Sequence, residues 1–312
     1  MTRFGIVAGL SERSEDPLYP VTMSHVKAMI EYFVSQGDSV CVFDWADVGD
    51  DCVARRAYQT ESSSFKPQNI SNLDLVFVKG LGKIHTRRDQ FLNFLRILDS
   101  SDTFTVNPPE TMRINLDKRY LINLMREGYP VVPTFEADYE GVQKLRGRYE
   151  DMVLKPRLFG ESGHGVRRIS EFSGDQELRE YISAQAPVIA QPFMRGIKDG
   201  EISLAMLGDE VTLTVRKSNP RGGFKVNYDG YTKYARTNPT AEEVSLAREI
   251  IQNWRSPVYY GRIDMIRQDG QSYLSEAEFI NPALLADEVG LEHPHARMIH
   301  SYLDGLVRGR ER

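Results

Sequence analysis

Apolar and polar positions alternate along this chain with two different periods. Short apolar runs predict strands over Arg3 to Gly9, Ser39 to Trp45 and Leu73 to Lys79. Between them, apolar residues fall at helical spacing from Met23 to Gln36, where Gly37 ends the pattern, and from Arg87 to Leu98. Strands alternating with helices predict a small parallel α/β unit over residues 1–106. Farther on, a helix containing Asn115, Lys118 and Leu121 closes at Gly128-Tyr-Pro. Strands are expected over Val131 to Phe135, Asp151 to Lys155 and Val188 to Met194, with helices near Gly141 to Arg148 and over Gln176 to Gln185. Glu201 to Leu207 and Glu210 to Lys217 read as an antiparallel pair turning at Gly208-Asp209. Thr240 to Trp254 reads as a helix whose Thr240 and Glu243 form a capping box. A last helix is expected from His295 to Val307.

Two alternating runs, starting at Tyr260 and Tyr273, flank Gln268-Asp-Gly-Gln271, a strong hairpin signal. With a loop of about three residues, Asp264 falls nearly opposite Glu276. Side-chain alternation then puts Glu276 and Glu278 on one face and Ala277 on the other. Three carboxylates on one patch repel each other. A cation would remove that cost, and an all-oxygen set suits a hard ion such as Mg2+ shared with nucleotide phosphates. Taken alone, the same three residues serve equally as solvated acids on an exposed face.

Composition narrows the partners. A chain of 312 residues, 41% hydrophobic and 27% charged, is expected to fold around a sizeable core. A net charge of −5 argues against a general nucleic-acid binder, so local basic clusters must serve something smaller. Cys41 and Cys52 have neither metal-ligand spacing nor a disulfide framework, which suits a reducing, cytoplasmic setting. The amino terminus lacks a signal-peptide pattern and no apolar run reaches membrane-spanning length.

Several loops carry candidate chemistry. Lys79, Lys83, Arg87 and Arg88 follow a strand, where α/β sheets bind ligands, and could meet a substrate carboxylate; a solvated basic loop is the plainer alternative. Phe159-Gly-Glu-Ser-Gly-His-Gly-Val166 brings Gly160, Gly163 and Gly165 close together, and such backbone N–H groups can approach phosphate oxygens. Lys155, at the preceding strand end, adds a point charge. No Gly-Lys-Ser/Thr closes the loop, so it is not a P-loop, and an ordinary hairpin loop would look similar. His164 within it is read as a loop residue with a backbone role. The strand ending near Met194 runs into a linker, a crossing suited to hold a flat apolar base. Residues 218–237 form a long polar segment with Arg221, Lys225, Lys233 and Arg236, expected to be a functional loop. No Gly-x-Gly-x-x-Gly follows the first strand, which disfavours a nicotinamide-dependent oxidoreductase.

The order of these features resembles an ATP-grasp enzyme of the glutathione synthetase-like group, most clearly from residue 107 to 282. The resemblance implies a mixed α/β (α+β) protein: an amino-terminal α/β domain (1–106), then a two-lobed ATP-grasp of antiparallel sheets with helices. Its small lobe with a central lid would span 107–190, and its large lobe with the metal site 191–312. Asn115-Leu-Asp-Lys118 resembles the motif supplying the first phosphate-contacting lysine. Val153-Leu-Lys155-Pro, with Gly160, Ser162, Gly163, His164 and Gly165, resembles the second lysine and its flexible loop. Gln191, Pro192 and Phe193 resemble the adenine-reading hinge, and Glu201 the acidic turn that meets the ribose. Gly200-Glu-Ile-Ser-Leu and Val215-Arg-Lys217 look most like the subgroup containing D-cycloserine synthetase, placing Lys217 and Arg216 near the triphosphate or acyl phosphate beside Arg262. Asp264, Glu276 and Glu278 would hold Mg2+, with Mn2+ as an alternative. Glu278 stands where many relatives have Asn, and Ser203 where glutathione synthetases carry an arginine, which argues against glutathione synthesis itself. Tyr228-Asp-Gly-Tyr231 departs from the glycine pair expected there.

The implied activity is ATP-dependent amide formation between a small-molecule carboxylate and an amine through an acyl phosphate, on an amino-acid-like substrate. No protein nucleophile is needed, which fits the absence of a Ser/His/Asp or Cys/His arrangement. The rivals are an enzyme that only phosphorylates its substrate and a non-catalytic ATP-binding regulator. Neither nucleic acid nor membrane is an expected partner, and homodimers are common among such relatives.

Overall fold

The computed structural model describes residues 1–10, 23–82, 84–160, 163–226 and 231–310. Lys83, Ser162, the segment Ser11 to Asp16, and Tyr228 through Gly230 lie outside the described residues.

The amino-terminal sheet contains β1 (Arg3–Val7), β2 (Ser39–Phe43), β3 (Val53–Gln59), β4 (Ser64–Asn69), β5 (Leu75–Val78) and β6 (Thr105–Val106), in the order β4-β3-β2-β1-β5-β6. The expected parallel strands are there, but the sheet is mixed. β3 and β4 add an antiparallel hairpin at one edge. Its outer strand is largely exposed and carries Pro67, as suits an edge, so it shows none of the apolar periodicity that reveals a buried strand. The inner strands are apolar on both faces because both are covered. Phe4, Ile6, Val40, Val42, Leu75 and Phe77 pack with α1 (Ser24–Ser35). Val7, Cys41, Phe43, Val76 and Val78 pack on the other side with α2 (Arg88–Ser100).

Two short helices, α3 (Pro109–Asn115) and α4 (Arg119–Arg126), lead into a second sheet. It comprises β7 (Phe135–Glu136), β8 (Met152–Pro156), β9 (Arg167–Arg168) and β10 (Val188–Pro192) in the order β7-β10-β8-β9, all antiparallel. The strand expected from Val131 is shorter, reduced to β7 and a parallel bridge from Val131 to Leu274. Helices α5 (Tyr139–Arg146) and α6 (Asp175–Gln185) pack on this sheet through Val142, Leu178 and Ile182.

The third sheet is antiparallel: β11 (Glu201–Leu207), β12 (Glu210–Ser218), β13 (Lys233–Arg236), β14 (Tyr260–Gln268) and β15 (Gln271–Glu278), in the order β13-β12-β11-β14-β15. β13 lies within the segment expected to be loop. Helix α7 (Ala241–Gln252) covers one face with α4. Its capping box forms as expected: Glu243 N–H donates to Thr240 Oγ at 3.2 Å and Thr240 N–H to Glu243 Oε2 at 2.9 Å. The final helix, α8 (Glu292–Arg310), packs beside α1 on the amino-terminal sheet. Among the described residues no helix is long and apolar enough to cross a membrane.

The β14–β15 hairpin pairs Asp264 with Glu276, as expected, but by different geometry. The connection is a two-residue turn, Asp269-Gly270, with both residues at positive φ. A bulge between Asp264 and Met265 then places Ser275 as the extra residue. The bulge has a packing cause. Leu274 and Ala277 both join the core under α4 and α7, which an unbroken two-residue period would forbid.

Candidate active site

A cavity of about 420 Å3 lies between the second and third sheets and reaches the strand ends of the amino-terminal sheet. One end is an apolar slot. Val132, Met194, Ile197, Val226 and Ile266 form a small buried cluster with Phe193 and Phe224 packed against it. Arg168 lies 3.8 Å over the Phe193 ring, and Gln191 donates to Thr134 Oγ1 at 2.9 Å. From this slot, β14 presents Ile266, Asp264 and Arg262 in turn on one face. The span from Ile266 to Arg262 is about 13 Å at the ordinary strand rise.

The two expected phosphate-lysine segments are stitched together. Lys118 N–H donates to Arg157 O at 2.9 Å and Phe159 N–H to Leu116 O at 3.1 Å. Gly160 packs close to this lysine: a Cβ there would stand 2.7 Å from Lys118 Cε and shift its side chain. Gly165 adopts a left-handed φ of 72° and shows no room for a side chain against Pro156. Lys118 reaches across the cavity to an ion pair with Glu276. Lys155 lines the same wall, and its burial lowers its pKa. The His164 ring stacks on His85 with centroids 4.5 Å apart, tying the glycine loop to the amino-terminal unit.

The acids are unequal. Burial alone would raise the Asp264 pKa, but Arg262, Lys217 and Ser203 together hold it well below the usual carboxylate range. Arg262 donates from Nε at 2.9 Å and Nη2 at 2.9 Å, Ser203 Oγ at 2.6 Å, and Lys217 Nζ stands 3.3 Å away. Burial likewise pushes Glu276 up, and Lys118 and Lys155 more than reverse it. Burial raises Glu278, and nearby Glu276 adds to the effect; its Oε1 accepts from the N–H groups of Ile280 at 2.9 Å and Asn281 at 3.0 Å. Glu201 is tied to Lys217 at 2.6 Å and accepts from Ser275 Oγ at 2.8 Å.

Of the residues singled out in the sequence, Lys118, Lys155, Gly160, Gly163 and His164 line the cavity. So do Gln191, Pro192, Phe193, Glu201, Lys217, Arg262, Glu276 and Glu278. Arg216 does not: alternation along β12 turns it outward and exposed, while Lys217 is buried at 1% exposure. Asp264 sits behind the wall, occupied by its ion pairs. Among the described residues no three His, Cys, Asp or Glu form a ready metal-holding group. The expected three-carboxylate cluster is therefore two cavity-facing carboxylates plus a buried counter-ion. Two carboxylates with phosphate oxygens still suit Mg2+, and a cation would relieve the charge that burial and Glu276 disfavour on Glu278. Sequence reasoning missed Tyr120 and Ser275, which brace this hairpin, and His25 and Asp287, which have no local signal.

A family described as an ATP-grasp domain matches residues 116–286. The chain belongs to the ATP-grasp family. Among its relatives is the glutathione synthetase of Prochlorococcus marinus subsp. pastoris, 25% identical over 200 residues, covering 62% of this chain and 62% of that protein. The chain thus spans less than two thirds of that relative, and within the family it falls in the glutathione synthetase-like group. Its fold is similar to crystal structures of D-cycloserine synthetase (TM-score 0.68, 21% identity, covering 94% of this chain and 98% of that one). It is also similar to a RimK domain protein from Sphaerobacter thermophilus (TM-score 0.64, 16% identity, covering 96% and 98%). A RiPP-associated ATP-grasp ligase from Chryseobacterium gregarium, in complex with ADP and a leader and core peptide, has a TM-score of 0.67 at 13% identity, covering 99% and 97%.

Proposed function

We propose that this protein is an ADP-forming carboxylate–amine ligase that makes an amide bond through an acyl phosphate. The observation that carries this reading is a single cavity joining an apolar slot to Lys118, Lys155, Lys217, Arg262, Glu276 and Glu278, about 13 Å along one strand. The base would lie in the slot beside Gln191 to Phe193, with Glu201 below the ribose. The phosphates would reach Lys118, Lys155, Lys217 and Arg262. Mg2+, held by Glu276 and Glu278, would neutralise phosphate charge. Asp264 keeps Arg262 and Lys217 charged and aimed.

The substrate carboxylate attacks the γ-phosphate, and the cations stabilise the charge spread over the transferring group. An amine nitrogen then attacks the acyl carbon and phosphate leaves. The substrates would enter from the amino-terminal strand ends. There Lys79 is buried, donates to the Pro282 carbonyl, and has its pKa pushed down to about 7 by burial. In this reading residues 1–106 present the substrate, while the lobes at 107–190 and 191–312 clasp ATP. The decisive measurement is ADP and phosphate release against pairs of amino acids and amines, with mass analysis of products. New amides would support the reading. ADP release that yields only phosphorylated carboxylate would replace it with substrate phosphorylation.

A further inference from the structure

His25 on the cavity wall, with its partner Asp287 behind it, lies outside the nucleotide site proposed above. His25, in the first turn of α1, approaches Asp287 Oδ2 through Nδ1 at 2.8 Å. Its side chain is only 15% exposed, and its Nε2 is buried without a hydrogen-bond partner. The ring lines the same cavity as Lys79, Arg262 and Glu278. Asp287 follows the segment whose carbonyls hold the cations at this end: Arg262 Nη1 donates to Ala283 O at 3.1 Å and Lys79 Nζ to Pro282 O.

A carboxylate on Nδ1 fixes the tautomer that carries a lone pair on Nε2. We propose that His25, oriented by Asp287, accepts the proton released by the attacking nitrogen in the amide-forming step. The proposal rests on the ligase reading above. The nitrogen lone pair forms the C–N bond, and the C–O bond to phosphate breaks, phosphate leaving with that electron pair. The N–H proton passes to Nε2, giving an imidazolium paired with Asp287, and then to the leaving phosphate. Burial lowers the His25 pKa, which keeps the free base available at neutral pH. Asp287 is held down to about 2: burial opposes this, and the hydrogen bond from His25 outweighs it.

The test separates the two half-reactions. The common amino acids serve as carboxylate donors, with hydroxylamine as trap or amino acids as amines. Hydroxylamine is a strong nucleophile and reports acyl phosphate without help from a base. In His25→Ala, hydroxamate yield should stay within about threefold of wild type while amide formation falls about 100-fold, with added imidazole restoring part of it. His25→Gln, of similar size, should show the same split and guards against a folding defect. Amide formation near the wild-type rate, or both products falling together without imidazole rescue, overturns the proposal. Absence of hydroxamate from the wild-type enzyme overturns the ligase reading itself and is distinguished by that control.

Discussion

Asn115 offers the sharpest test of how the carboxylates are positioned. β15 is an edge strand, and its outer backbone groups are satisfied by side chains instead of another strand. Asn115 Nδ2 donates to Ala277 O at 2.9 Å and its Oδ1 accepts from Phe279 N–H at 2.8 Å, bracketing Glu278. Tyr120 OH also donates to Ala277 O at 3.0 Å and accepts from Ala277 N–H at 2.9 Å. In Asn115→Ala, Tyr120 still serves Ala277, but Phe279 N–H is stranded in a buried site. One stranded donor plus one lost hydrogen bond costs about 2–3 kcal/mol. With unfolding entropy near 2.1 cal/mol/K per residue, that is a fall in Tm of about 3–5 °C. Asn115→Asp keeps an acceptor for Phe279 but turns a carboxylate toward the Ala277 carbonyl, so it should also lose stability. Calorimetry gives Tm, and ATP titration at graded Mg2+ reads the site; both variants should need more Mg2+ for the same ATP affinity. A Tm change under about 1 °C with unaltered Mg2+ dependence would refute the clamp.

Glu276→Gln removes the anion facing Lys118 and Lys155, and ADP release should fall at least about 100-fold; normal ADP release would remove Glu276 from the site. Arg267→Ala strands Glu243, whose side chain is 0% exposed and takes hydrogen bonds from Arg267 at 2.7 Å and Ser272 at 2.7 Å. Burial alone raises the Glu243 pKa, but these partners bring it below its ordinary value, so its stabilisation is present above the unfolded pKa and lost as pH falls through the folded one. The variant should lose about 1–2 kcal/mol at neutral pH, with water reaching the half-exposed Arg267 position limiting the cost. The difference from wild type should shrink in acid, where Glu243 protonates; denaturant unfolding at several pH values checks this, and a pH-independent gap would count against it.

Local rules were readable in the residues themselves. The helix starting at Thr240, the antiparallel pair turning at Gly208-Asp209 and the Asp264–Glu276 pairing all follow from capping, turn chemistry and two-residue alternation. Glycine spacing and a strand end likewise marked Lys155 and the loop after it, whereas Lys118 stood out only through the family resemblance. The β3–β4 hairpin escaped because an edge strand faces water and need not alternate. The bulge at Ser275 escaped because its cause lies in the packing of Leu274 and Ala277 beneath α4 and α7. Only the assembled chain decided that Asp264 sits behind the wall and holds Arg262 and Lys217 on it, that Arg216 faces solvent, and that His25 meets Asp287 across 262 residues. Periodicity reports which way a side chain points from its own backbone. Which charge it meets is set by how separate sheets dock, and that depends on burial summed over the whole interior.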